Sequence, residues 1–151
     1  MRARYWVLVV ALVSLLMILS ACSGTEPEDS FLIEESIDRN PSPPEAYAGG
    51  VNPYNDEPEA IAEGEILYRA NCSSCHGITG EGDGPASAGL DPPPQSLAVR
   101  QSNLSDAYLF WRISEGGLMK PFNSLMPGYK GLLSEEKIWQ VIAYIRTLIS
   151  L

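Results

Sequence analysis

The stretch Cys72-Ser73-Ser74-Cys75-His76 decides how the rest of the chain is read. Two thiols three positions apart can add to the two vinyl groups of one protoporphyrin ring, and a histidine directly after the second is placed to ligate its iron. Competing readings of the pair fail on residue supply. Zinc would want further cysteine or histidine ligands, and the chain has three cysteines and one histidine in all. A thioredoxin-like redox pair would want a βαβ setting, and no run here alternates as a strand does.

Working outward, a neutral imidazole needs its second nitrogen held if the ring is to keep its orientation. Pro85, nine residues after His76 in the pair Gly84-Pro85, is a candidate to offer its carbonyl. Gly77, Gly80, Gly82 and Gly84 would let the intervening loop wrap closely beneath a flat ring. Upstream, a helix is expected from about Asp56, with Glu59 completing an approximate capping box, to about Asn71. Gly64, Tyr68 and Cys72 fall four apart and share a face, and the glycine predicts a second helix crossing closely there.

Downstream, Ser105 to Glu115 reads as a helix with Ser105 as N-cap, Asp106 in its first turn and Gly116-Gly117 as its stop. Its Tyr108, Leu109, Trp111 and Ile113 are apolar but imperfectly periodic. The final helix is the clearest: Ser134 caps it, Glu135 and Glu136 complement its positive end, and Ile138, Val141, Ile142, Ile145 and Leu148 recur at helical spacing. The expected fold is therefore all-α. Its domain is small enough that side chains alone make a marginal core, so a prosthetic group is expected to help fill it.

These features together resemble a class I cytochrome c over roughly residues 58–151. The likeness rests on Gly64 and Tyr68, the attachment motif, Gly84-Pro85, a Met-Pro segment, and the closing helix with Trp139 and Tyr144. It implies a domain around one covalent haem c, bound through Cys72 and Cys75, with His76 and a methionine sulfur as axial iron ligands. Met126, followed by Pro127 and Gly128, is the favoured methionine, and Met119 is the alternative. With both axial positions filled by protein, the implied role is electron transfer rather than catalysis. A haem enzyme or gas sensor, in which Met126 swings away, would want a distal acid-base residue, and the only histidine is already committed.

Residues 1–21 carry Arg2 and Arg4 and then an apolar run too short for an ordinary bilayer span, which reads as a signal peptide. Leu19-Ser20-Ala21-Cys22 resembles the lipobox of bacterial lipoproteins, which implies cleavage before Cys22 and acylation of that cysteine. An ordinary signal peptide or an uncleaved N-terminal helix is the alternative. Multiple acyl chains hold a protein stably on a membrane. The expected location is thus the bacterial cell membrane, facing the periplasm or cell exterior.

The chain has 151 residues and a net charge of -9, and nearly all of that excess lies in residues 22–59. With their prolines, residues 22–57 read as an extended acidic tether, although Phe31, Leu32, Ile33 and Ile37 make a small apolar cluster within it that could lie against a partner. No basic stripe suited to a nucleic acid is present. Asn52-Pro53-Tyr54, the Gly80 to Pro85 loop and the Trp139 to Arg146 ending further resemble the mono-haem lipoprotein cytochrome subunit of alternative complex III, a quinol-oxidising respiratory complex. That likeness implies partner subunits including a multihaem cytochrome, and onward transfer to a periplasmic carrier or oxidase. An independent lipid-tethered shuttle to an oxidase or photosynthetic reaction centre is the other reading.

Overall fold

The computed structural model describes residues 40–149, all within the compact unit Ile37–Leu151. Residues 1–21, which read as a signal peptide, Cys22 and the Phe31 to Ile37 cluster lie outside the described residues. The elements are a 3-10 turn at Glu45–Tyr47, α1 (Pro58–Asn71), α2 (Ser73–His76), α3 (Leu97–Arg100) with a 3-10 turn at Gln101–Asn103, α4 (Asp106–Glu115) and α5 (Glu135–Thr147). The domain is helical, with no strand among the described residues.

α1 begins one residue later than its sequence suggested. Its N-cap is Glu57, whose side chain makes no capping bond, and Pro58 occupies the first helical position. The Glu57 amide instead closes a turn on the Tyr54 carbonyl at 3.1 Å, which takes Asp56 out of the capping position. Proline at that position has no N–H to leave unpaired, so less is lost without a side-chain cap. Glu59 still lies in the first turn, near the positive helix end.

The crossing of α1 over α5 organises the core. A β-carbon on Gly64 would stand 1.9 Å from the Gln140 carbonyl oxygen and 3.1 Å from Tyr144 Cβ, so only a glycine lets the two helices approach this closely. One turn later, the fully buried Tyr68 ring lies 5.2 Å from that of Tyr144 and donates its hydroxyl to the Gly77 carbonyl at 2.8 Å. Ile138, Val141 and Ile142 on α5 are also fully buried, each contributing roughly 1.5–3 kcal/mol of transfer free energy.

α4 and α5 start where expected. Ser105 accepts from the Tyr108 amide at 3.1 Å, and Ser134 accepts from the Lys137 amide at 3.4 Å. α4 ends at Gly116, whose φ of 77° is costly for any other residue. The imperfect periodicity of α4 has a structural reason: Ala107, Tyr108, Leu109, Trp111 and Ile113 are all buried, so the helix is covered on more than one face. Trp111 meets the Phe122 ring at 5.3 Å, while Tyr108, Leu109 and Ile113 line a cavity.

The segment read as the end of the tether belongs to the folded unit. Asn52 is buried; its amide donates to Asp106 Oδ2 at 2.9 Å, and its side chain donates to the Trp139 carbonyl at 2.9 Å. Arg146 reaches Asp106 Oδ1 from α5 and the Leu104 carbonyl at 2.7 Å. Burial alone would raise the Asp106 carboxyl, but the Asn52 amide and the Arg146 guanidinium hold it below its ordinary value. Tyr47 packs near Phe110, which stacks on Trp139 with ring centroids 4.2 Å apart. The domain therefore extends upstream of residue 58. Between residues 40 and 57 only Glu45, Asp56 and Glu57 are acidic, so self-repulsion there is weak.

Candidate functional site

The attachment motif is built by continuing α1. Cys72 caps that helix, its amide bonded to the Tyr68 carbonyl at 2.8 Å, and its own carbonyl accepts from the amides of Cys75 at 3.2 Å and His76 at 2.9 Å. This extra turn brings Cys72, Cys75 and His76 onto the lining of one cavity. Both cysteines are free thiols. Burial, with the neighbouring Cys75 second, pushes the Cys72 thiol up to about 12, so it stays protonated.

The carbonyl facing His76 is that of Gln95, 3.3 Å from Nδ1, and not that of Pro85. The reason lies in the loop. The Gly84 amide donates to the Cys75 carbonyl at 3.2 Å and the Ala86 amide to the Ser74 carbonyl at 2.8 Å, which ties the segment carrying Pro85 to the backbone of the motif. A β-carbon on Gly84 would lie 2.4 Å from the Ser74 oxygen, so that glycine serves close packing rather than a left-handed turn. Gly77, Gly80 and Gly82 do adopt the left-handed region, at φ of 78°, 80° and 82°. Burial lowers the His76 pKa, with the Gln95 carbonyl opposing it. A neutral ring that donates Nδ1–H to Gln95 keeps its Nε2 lone pair for a metal.

Met126 lines the same cavity as His76, whereas Met119 packs against the core and is absent from that lining. The Met126 segment is stitched to the end of α4. Its carbonyl accepts from the Gly117 amide at 2.8 Å, Gly117 in turn accepts from the Ser124 amide at 2.8 Å, and the Tyr129 amide reaches the Ile113 carbonyl at 2.9 Å. Tyr129 also lines the cavity and turns its hydroxyl to the Asn71 carbonyl at 2.7 Å, which satisfies that polar atom.

The cavity contains about 1240 Å³ of unfilled space, part of it continuous with solvent. Leu90, Pro92, Pro93, Leu104, Leu109 and Ile145 make much of its wall apolar. Two thiols, an imidazole with one nitrogen free and a thioether on the lining of a largely apolar cavity suit a porphyrin with axial nitrogen and sulfur ligands. Among the described residues, no cluster of three or more histidine, cysteine or acidic side chains offers a different metal a site.

Gln95 and Arg112 are among the residues of the site that were not singled out in the sequence. Gln95 follows a run of three prolines, and nothing in its type marks it as the source of a backbone carbonyl. Arg112 lines the cavity and places its guanidinium carbon 3.5 Å above the Phe122 ring. Its only sequence signal is a cation directly after the apolar run Ala107 to Trp111.

Comparison with known proteins places the chain among cytochromes c. Residues 59–145 match the family model described as cytochrome C oxidase, cbb3-type, subunit III. Cytochrome c-L of Methylorubrum extorquens is 34% identical over 66% of the chain and 45% of its own length. Cytochrome c-554(547) of Halothiobacillus neapolitanus is 33% identical over 58% of the chain and 94% of its own length. The crystal structure of cytochrome cL from Methylophaga aminisulfidivorans superimposes with a TM-score of 0.51 at 28% identity, covering 67% of this chain and 61% of that one. The chain thus spans less than half of the curated cytochrome c-L it matches.

Proposed function

The chain belongs to the cytochrome c family through a domain of the cbb3-type kind, carrying one covalent haem c for electron transfer, and from that premise we propose that it works as a lipid-anchored subunit of a quinol-oxidising respiratory complex. The observation that carries the electron-transfer reading is the single cavity shared by Cys72, Cys75, His76 and Met126. In this proposal the two cysteines would hold the group covalently, and His76 and Met126 would hold its iron. The haem would supply a one-electron couple. Every other contribution comes from the protein: the Gln95 carbonyl orients His76, the α4-bound loop positions Met126, and the apolar wall lowers the polarity around the group. A neutral thioether and an apolar surround both disfavour the extra positive charge of the oxidised iron, so the reduction potential is expected to be positive.

Anchoring rests on the lipobox-like sequence ending in Cys22, and the place in alternative complex III rests on the Asn52-Pro53-Tyr54, Gly80 to Pro85 and Trp139 to Arg146 likenesses. The family model adds support of a coarser kind for work within a complex, since its description is that of an oxidase subunit. In this reading the electron donor is a multihaem subunit, and the acceptor a periplasmic carrier or oxidase. An independent tethered shuttle is the second reading. It is favoured by the match across 94% of cytochrome c-554(547), where a domain of this span makes up nearly a whole cytochrome.

Solubilisation from membranes in mild detergent discriminates the two. The haem protein is expected to co-purify with multihaem and quinol-site subunits, and Cys22→Ser is expected to move it out of the membrane fraction. A lone haem protein after gentle extraction would contradict the complex, and a Cys22→Ser variant that stays membrane-bound would contradict the lipid anchor.

A further inference from the structure

Arg112 is the one cation of α4, and it is half-buried. Its Nη1 donates to the carbonyl of Gly116, where the Met126 loop leaves the helix. Its Nη2 approaches Met126 Sδ at 3.9 Å, within hydrogen-bonding range for sulfur. Its planar face covers Phe122, which lies between those two points in the chain, at 3.5 Å from the ring centroid. One guanidinium thus touches the loop at its start, its middle and its sulfur. A β-carbon on Gly117 would stand 1.9 Å from Ser124 Oγ and 3.1 Å from Nη2, so the guanidinium packs beside the start of this loop.

We propose that Arg112 is a positioning residue that clamps the 116–126 loop and orients the Met126 thioether for iron ligation. A thioether sulfur has two lone pairs. Engaging one with a fixed N–H leaves the other for the metal and removes rotational freedom from a side chain that is otherwise among the most flexible. Arginine suits the task because its rigid fork can serve a carbonyl and a sulfur while its face stacks on an aromatic ring. The partly desolvated positive charge also sits beside the sulfur, where it disfavours the oxidised iron and shifts the potential upward. Burial lowers the Arg112 pKa, yet a guanidinium stays charged throughout the working range.

This inference rests on Met126 being the sixth ligand, so its test includes that ligand. Exogenous imidazole competes with the thioether for Fe(III), and its apparent affinity reports how firmly the loop presents the sulfur. In the purified holoprotein, Arg112→Gln is expected to bind imidazole about tenfold more tightly or better, since a charge-assisted bond of ordinary strength accounts for a factor of that size. Its reduction potential is expected to fall. Arg112→Lys keeps the charge without the fork, so it should hold the potential nearer the parent while still gaining imidazole affinity. Phe122→Leu removes only the stacking platform, should shift affinity in the same direction, and replaces Arg112→Gln if that variant does not fold.

Ile142→Val, a core change away from the loop, serves as the stability control. If imidazole affinity is unchanged in the clamp variants, or rises equally in the control, Arg112 is no positioning residue. If Met126→Ala leaves the weak far-red Met-to-Fe(III) band intact, the ligand assignment fails and the clamp with it. If that band vanishes in Met126→Ala but Arg112→Gln matches the parent, only the clamp is overturned.

Discussion

Met126→Ala is expected to abolish the weak far-red absorption of the oxidised protein and to let the reduced protein bind carbon monoxide, whereas Met119→Ala is expected to do neither. The contrast follows from the cavity lining, which includes Met126 and excludes Met119. It also follows from the loop. The Met126 backbone is held by the Gly117 amide at 2.8 Å, while the Met119 carbonyl closes a local turn on the amides of Phe122 and Asn123 at 3.0 and 3.1 Å. Exchanging a thioether for water or an anion favours the oxidised iron, so the reduction potential should drop by on the order of 0.1 V. Optical spectra and a redox titration of the two variants check this. A far-red band that survives in Met126→Ala and disappears in Met119→Ala would reverse the assignment.

The second large effect lies at the helix crossing. In an exposed helix interior, glycine to alanine stabilises by about 0.8–1 kcal/mol. At Gly64 the sign should invert, because the added carbon would stand 1.9 Å from the Gln140 carbonyl oxygen and 2.6 Å from its carbon. Backbone atoms cannot rotate aside as a flexible side chain would. Gly64→Ala is therefore expected to destabilise, and Gly64→Leu to cost about 3 kcal/mol or more, at the upper end of overpacking penalties. For a domain of roughly this size that corresponds to a melting midpoint lower by on the order of 15 °C. Thermal unfolding of the holoprotein measures it, and a Gly64→Leu midpoint equal to the parent would mean that the helices are not locked at this point.

The parts of the fold that were legible in the sequence are those whose causes are local. Ser105 and Ser134 announced helix starts because a cap needs only an oxygen and the amide three residues on. Gly116 announced a stop because its conformation excludes side chains. Gly64 announced a crossing because a glycine inside a helix has a cost that only close packing offsets. The attachment motif was legible for the same reason: its chemistry is written in five consecutive residues.

What was misread depends on distant parts of the chain. The carbonyl on His76 comes from Gln95, nineteen positions away, and backbone acceptors leave no trace in residue type. Pro85 does not supply that carbonyl, because Gly84 and Ala86 bond to the motif's own backbone. The acidity averaged over residues 22–59 concealed that Asn52 would be buried against Trp139 and Asp106. Arg112 passed unnoticed because a lone cation on an apolar helix is usually a side chain reaching for solvent, and only the folded loop gives it Gly116, Phe122 and Met126 to hold.

Covalent attachment of one haem through Cys72 and Cys75 is the feature on which the electron-transfer role depends. Extraction of the matured, coloured protein with acidified acetone tests it most directly. The pigment should remain with the polypeptide, and intact mass should exceed that of the same polypeptide made without haem by one haem. Pigment released into the solvent, or a polypeptide without that added mass, would contradict it.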